Sequence, residues 1–255
     1  MSLKRVMLAS ALLFTACKQP FNANAFANTD ELYRVATAEF NAKRWDNAAR
    51  AFERLTTELS PRDPRIASAY YYLAKSQEKM GSSLLAAKSY SRVYELLPQD
   101  TLADNALLLS GMAYQKMWRR PSLDAEYGQE ALTQYQTFLG FYPDSPLIPA
   151  VTKQMNQLDE WFAEKDYGTG IHYLKRKAYD SAIIYFKDIV KLHPAAKVTR
   201  EAYIRLHESY AAINYKDDAR DLCDTMRKTY PADREVLRIC GPAPPVPAAP
   251  APTSN

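Results

Sequence analysis

Apolar residues along this chain recur mainly at three- and four-residue intervals, the period of one face of a helix rather than the alternation of a strand. Val151, Met155, Leu158 and Phe162 form one such stripe. A longer pattern overlies it. Ala86, Tyr90 and Pro98 are spaced four and eight apart, and so are Ala131, Tyr135 and Pro143, and Ala182, Phe186 and Pro194. Ala219, Cys223 and Pro231 repeat the spacing with sulfur in the aromatic slot. Ala48 and Phe52 begin a fifth copy whose proline, Pro61, falls one residue late. Gly170 and Tyr173 precede Ala182 by twelve and nine residues, Tyr210 precedes Ala219 by nine, and Gly111 and Tyr114 precede Ala131 across an insertion. Each unit reads as a helical hairpin. The small residue lets two antiparallel helices approach, the aromatic one turn later fills the gap to the next helix, and proline ends the second helix.

This combination resembles the tetratricopeptide repeat, a helix-turn-helix unit of about 34 residues. It predicts an all-α superhelix of about five hairpins over residues 29–240. The prolines are 37, 45, 51 and 37 residues apart, so two units are enlarged. The third has a longer loop around Trp118 to Asp124, either a functional insertion or a surface excursion, since added loop length costs little. The fourth has extra helix from about Leu147 to Asp166. A short capping helix is expected over Arg234 to Ile239, because a terminal repeat must present a polar outer face.

The N-terminus has a different character. Lys4 and Arg5 precede an apolar run from Val6 to Ala16, too short to span a bilayer, with small residues before Cys17. This reads as a secretory signal over residues 1–16. It resembles a bacterial lipobox, with Phe14 where Leu is usual, and that resemblance implies cleavage before Cys17 and acylation there. Several acyl chains hold a protein at a membrane at about 0.8 kcal/mol per buried methylene. Residues 17–28 would be the tether. Lys18 in place of an inner-membrane-retaining Asp implies the outer membrane. Residues 241–255 hold six prolines in fifteen positions, so a disordered tail is expected.

Composition narrows the function. The net charge is +4, or +2 without Lys4 and Arg5, and no basic run suggests nucleic acid. Seven glycines against eighteen tyrosines suit helices. Cys223 and Cys240, 17 residues apart, are able to pair in an oxidising compartment, but the position of Cys223 in a packing slot favours a buried thiol with Cys240 unrelated. No His/Cys spacing suggests a metal, no nucleophile has a base and orienting partner, and no cofactor is implied. An enzyme is not expected.

A stacked array of hairpins offers a concave surface lined by the first helix of each pair. The register places Tyr33, Thr37 and Phe40 inward in the first unit, Tyr71, Lys75, Glu78 and Lys79 in the second, and Leu108, Met112, Gln115 and Lys116 in the third. Aromatic groups beside cations suit an extended peptide, with Tyr33, Phe40, Tyr71, Lys75, Glu78 and Met112 as groove candidates. The alternative is that Tyr33 and Tyr71 pack between neighbouring units. The packing slots are Ala48, Phe52, Ala86, Tyr90, Ala131, Tyr135, Ala182, Phe186 and Ala219.

The lipobox, tether and five repeats, the third and fourth enlarged, with the strings Ala42-Lys43-Arg44-Trp45, Tyr142-Pro143-Asp144-Ser145 and Lys175-Arg176-Lys177-Ala178, resemble the BamD (YfiO or ComL) family. The resemblance implies an outer-membrane lipoprotein on the periplasmic face, a partner of the insertase BamA and of other assembly lipoproteins. It implies N-terminal repeats that recognise unfolded β-barrel proteins and C-terminal repeats that dock BamA. The alternative is a repeat-lipoprotein scaffold for a pilus secretin or an envelope-constriction complex.

Overall fold

A computed structural model describes residues 21–242, so the signal, Cys17 and the tail from residue 243 lie outside the described residues. Every regular element among the described residues is helical. Five antiparallel hairpins follow one another: α1 (Thr29–Asn41) with α2 (Trp45–Glu58), α3 (Ile66–Lys79) with α4 (Ser83–Leu96), α5 (Ala103–Met117) with α6 (Glu126–Phe141), α7 (Ile148–Lys175) with α8 (Tyr179–Leu192), and α9 (Thr199–Ala212) with α10 (Lys216–Thr229). The short α11 (Arg234–Cys240) closes the array against α10. The added length of the fourth unit is not a separate helix; it makes α7 one continuous helix of 28 residues.

The hairpin turns show why the repeat takes its form. Lys43, Gly81, Lys177 and Asn214 all have a left-handed backbone, with φ of 57°, 81°, 61° and 63°. Each lies five residues before the small residue of its second helix, at Ala48, Ala86, Ala182 and Ala219. The chain reverses in about three residues there, and one must adopt positive φ. Glycine does so freely and asparagine tolerably, while a lysine is strained. The third unit replaces this tight turn with its longer loop.

Behind the turns, small residues meet rings. Ala48, Phe52, Ala86, Tyr90, Ala131, Tyr135, Ala182 and Phe186 are fully buried, and Ala219 is half-buried. A Cβ added to Gly111 would lie 2.3 Å from the Tyr135 ring, and one added to Gly170 would lie 2.6 Å from the Phe186 ring. The glycine of the first helix is therefore the floor on which the aromatic of the second helix rests. Ala36 and Ala74 hold the equivalent places beneath Phe52 and Tyr90, in each case sixteen residues before the ring.

Two places depart from this scheme. The enlarged loop of the third unit begins with Trp118, which is buried and packs against Trp161 and Phe162 of α7 at ring-centroid distances of 5.4 and 4.8 Å. Since α6 meets α7 across a narrow contact, Trp118 supplies much of the joint between the third and fourth hairpins. The start of the loop is thus structural.

The second departure corrects the reading of the cysteines. Cys223 and Cys240 form a disulfide, with Cα atoms 5.3 Å apart. Cys223 does lie in its buried slot. What the repeat pattern does not show is that α11 folds back along α10 and delivers Cys240 to the same slot. The last core has three buried residues, Ile204, Met226 and Val236, and the covalent link supplements it.

Candidate partner-binding surface

The first helices α1, α3 and α5 were expected to expose an aromatic groove, but they spend much of that face on each other. The Tyr33 hydroxyl lies 2.8 Å from Ser68 Oγ, and the Tyr71 hydroxyl donates to Asn105 Oδ1 at 2.7 Å. Each bond joins one hairpin to the next. Tyr71 is buried and Tyr33 half-buried, so the inter-unit packing role describes both. Phe40 is held by Trp45 and Tyr72, with centroids 5.2 and 4.9 Å away. The physical reason is that a first helix is packed between its own partner and the second helix of the preceding hairpin, and its tyrosines also reach the next first helix. Its truly open strip is narrower than the inward face.

Around this tyrosine layer the charges are placed with care. Lys75 Nζ lies 5.0 Å from the Tyr71 ring centroid, a cation over an aromatic face. The Tyr90 hydroxyl donates to Glu78 Oε2 at 3.0 Å. Burial, reinforced by Glu78, pushes the Tyr90 phenol far above its ordinary range and raises Tyr71 in the same direction. Both therefore remain neutral donors. Arg65 bonds Asp63 and Asp30 and lies 5.8 Å from the Tyr33 ring centroid. Its guanidinium holds the Asp63 carboxyl down at about 2. Leu108 and Gln115 are buried, and Gln115 accepts from the Tyr135 hydroxyl at 2.8 Å. The strip left open carries the partly exposed Lys75 and Glu78, together with Lys79, Met112 and Lys116. Met112 is 40% exposed.

Two further surfaces come from the fold. A cleft of about 710 Å³ lies between the third-unit loop and α7, lined in part by Arg120, Ser122, Lys165, Thr169 and His172. Lys165 Nζ closes one side by donating to the Leu123 carbonyl at 2.8 Å. On the ends of the second helices, Leu96, Phe141 and Leu192 are exposed, each two residues before its repeat's proline. That row was readable in the sequence, since an apolar residue recurs at one fixed offset from the proline. Its exposure was not, because a helix end is as readily covered by the next unit as left open.

Antiparallel helical pairs stacked in one direction, with small residues seated beneath rings, define a tetratricopeptide-repeat scaffold. The profile of the YfiO family, described as an outer membrane lipoprotein, matches residues 26–224, and the chain belongs to that family. Among curated relatives, the chain is 26% identical over 243 residues to the outer membrane protein assembly factor BamD of Xylella fastidiosa (strain Temecula1), covering 89% of this chain and 82% of that one. It is 24% identical over 143 residues to BamD of Caulobacter vibrioides, covering 56% and 47%. Among solved structures it is similar to the TPR2AB-domain:pHSP90 complex of yeast Sti1, at 13% identity and a TM-score of 0.40 over 83% of this chain and 81% of that one. No helix among the described residues is long and apolar enough to cross a membrane.

Proposed function

We propose that this chain is a non-enzymatic assembly factor for outer-membrane β-barrel proteins. It would be held at the periplasmic face of the outer membrane by acyl groups on Cys17. The family match over residues 26–224 carries this reading, and its relatives named as assembly factors point the same way. The first three hairpins hold an extended segment of an unfolded barrel along the strip of Lys75, Glu78 and Met112. The fourth and fifth hairpins dock a BamA-type insertase, with other assembly lipoproteins completing the machinery. The strip has the character such a segment needs: mixed charge for backbone and terminal groups beside an exposed, adaptable methionine.

The test uses Lys75→Glu with Met112→Glu, which alter the open strip while sparing the buried Tyr71. Crosslinking to a barrel-derived C-terminal peptide should fall by roughly tenfold, equivalent to about 1.4 kcal/mol. Co-purification of the insertase should be unchanged. Peptide crosslinking at the wild-type level would reject the strip.

A further inference from the structure

The fifth hairpin repeats the register of the others with different chemistry. In the first four units a small residue on the first helix faces a ring on the second: Ala36 and Phe52, Ala74 and Tyr90, Gly111 and Tyr135, Gly170 and Phe186. The sixteen-residue offset of the first, second and fourth units, which the longer loop of the third unit stretches to twenty-four, pairs His207 on α9 with Cys223 on α10 in the fifth. An imidazole and a sulfur therefore share the place where the other units seat a ring over glycine or alanine. The closing helix α11 then brings Cys240 to the same point. A ring nitrogen of His207 and the two Sγ atoms all lie within 4.8 Å of one another. No short sequence spacing announces the cluster; the repeat register and the fold-back of α11 make it.

We propose that, before the disulfide closes, His207, Cys223 and Cys240 form a three-ligand site for a soft divalent cation of the zinc class. Ligand atoms around one tetrahedral zinc sit roughly 3.3–3.8 Å apart, given Zn–S of about 2.3 Å and Zn–N of about 2.0 Å. The cluster needs only the opening of the sulfur pair to reach that spacing. Its Cα atoms, 5.3 Å apart at the two cysteines, already permit it. Two thiols and one imidazole are the donor set that such an ion prefers, with a fourth position left to water or to a partner. Binding releases the two thiol protons to solvent. Later oxidation is a thiol–disulfide exchange. A disulfide-bearing donor takes two electrons and two protons to become a dithiol, the Cys223–Cys240 bond forms, and the ion leaves. The two states also tie different elements. The disulfide joins α10 to α11, whereas the ion joins α9, α10 and α11, so a newly made chain would have its last unit pinned before it is oxidised.

The test uses the full chain carrying Cys17→Ser, which leaves Cys223 and Cys240 as its cysteines. The disulfide is reduced with a phosphine, which becomes the phosphine oxide with its oxygen taken from water. After anaerobic removal of the phosphine the chain is titrated with cobalt(II) and then zinc(II). One equivalent of cobalt should give thiolate charge-transfer absorption, and one equivalent of zinc should abolish it. Cys240→Ser should lose the signal. His207→Ala, a residue that two other units carry in that slot without disturbing the fold, should bind at least about tenfold more weakly and shift the cobalt d–d bands. The oxidised chain should give no signal. Reduced chain that binds no more tightly than Cys240→Ser, or His207→Ala that titrates as its parent does, would overturn the site.

Discussion

The first four hairpins and the last one solve the same problem by different means. Each hairpin must bury one face of its own and give its neighbour something to pack on. In the first four, a full aromatic ring rests on glycine or alanine and does both at once. Where the ring is a tyrosine, its hydroxyl finds an acceptor, as Tyr90 does on Glu78 and Tyr135 on Gln115. The fifth hairpin has no ring in that slot. Its core is correspondingly thin, and two other ties hold it. The disulfide is one. The other is Arg200, which bonds both carboxylate oxygens of Asp233 at 2.7 and 2.9 Å and also reaches Glu235. Asp233 in turn caps α11 through the amides of Glu235 and Val236. Its carboxyl is held well below the usual carboxylate range, chiefly by Arg200. A solenoid end lacks a neighbour to bury against, and covalent and ionic ties are independent of that neighbour.

The sharpest way to break the comparison is to remove a ring. Phe186→Ala should cost about 3–5 kcal/mol by chemical denaturation, since the side chain is fully buried and Gly170 cannot fill the gap. Loss should be cooperative through the fourth and fifth hairpins, and an unchanged midpoint would contradict the register. Next in size is Cys240→Ser. The bridge closes a loop of 17 residues, so its loss should cost about 3 kcal/mol, the chain-entropy value for a loop near that length. Hydrogen exchange should rise in α10 and α11 and remain as in the parent in α1 to α4. Protection lost evenly along the array would mean that the end is not a separate unit. The smallest effect is a gain. Lys177→Gly should relieve the left-handed turn and raise stability by roughly 1 kcal/mol, while the same change at a helix-interior lysine such as Lys187 should lower it. A loss at Lys177 would show that the side chain is needed there.

The sequence made the repeats legible because a proline stop and a small residue four before a ring are local signals with one physical meaning each. Several other features were not legible, and each depends on a contact between distant segments. The pattern leaves Tyr71 open between a groove residue and inter-unit packing, because helical period identifies a face but not which neighbour covers it. Trp118 reads as the start of either a functional insertion or a surface excursion, not as a packing residue, because its partners, Trp161 and Phe162, lie more than forty residues on. The pattern admits the disulfide but favours a buried thiol, because Cys223 fits a packing slot by itself and nothing local shows that α11 turns back. The strip of Lys75, Glu78 and Met112 is what remains of the expected groove once the packing positions are removed.

The proposed division of labour along the superhelix is tested most directly by photocrosslinking in living cells, with a photoreactive residue placed at Met112 or at Ile184. Both side chains are exposed, and they lie on the third and fourth hairpins. The account predicts that the probe at Met112 captures unfolded β-barrel proteins and the probe at Ile184 captures the insertase. Capture of the insertase at Met112 and of unfolded barrel proteins at Ile184 would contradict it, as would the same partner at both.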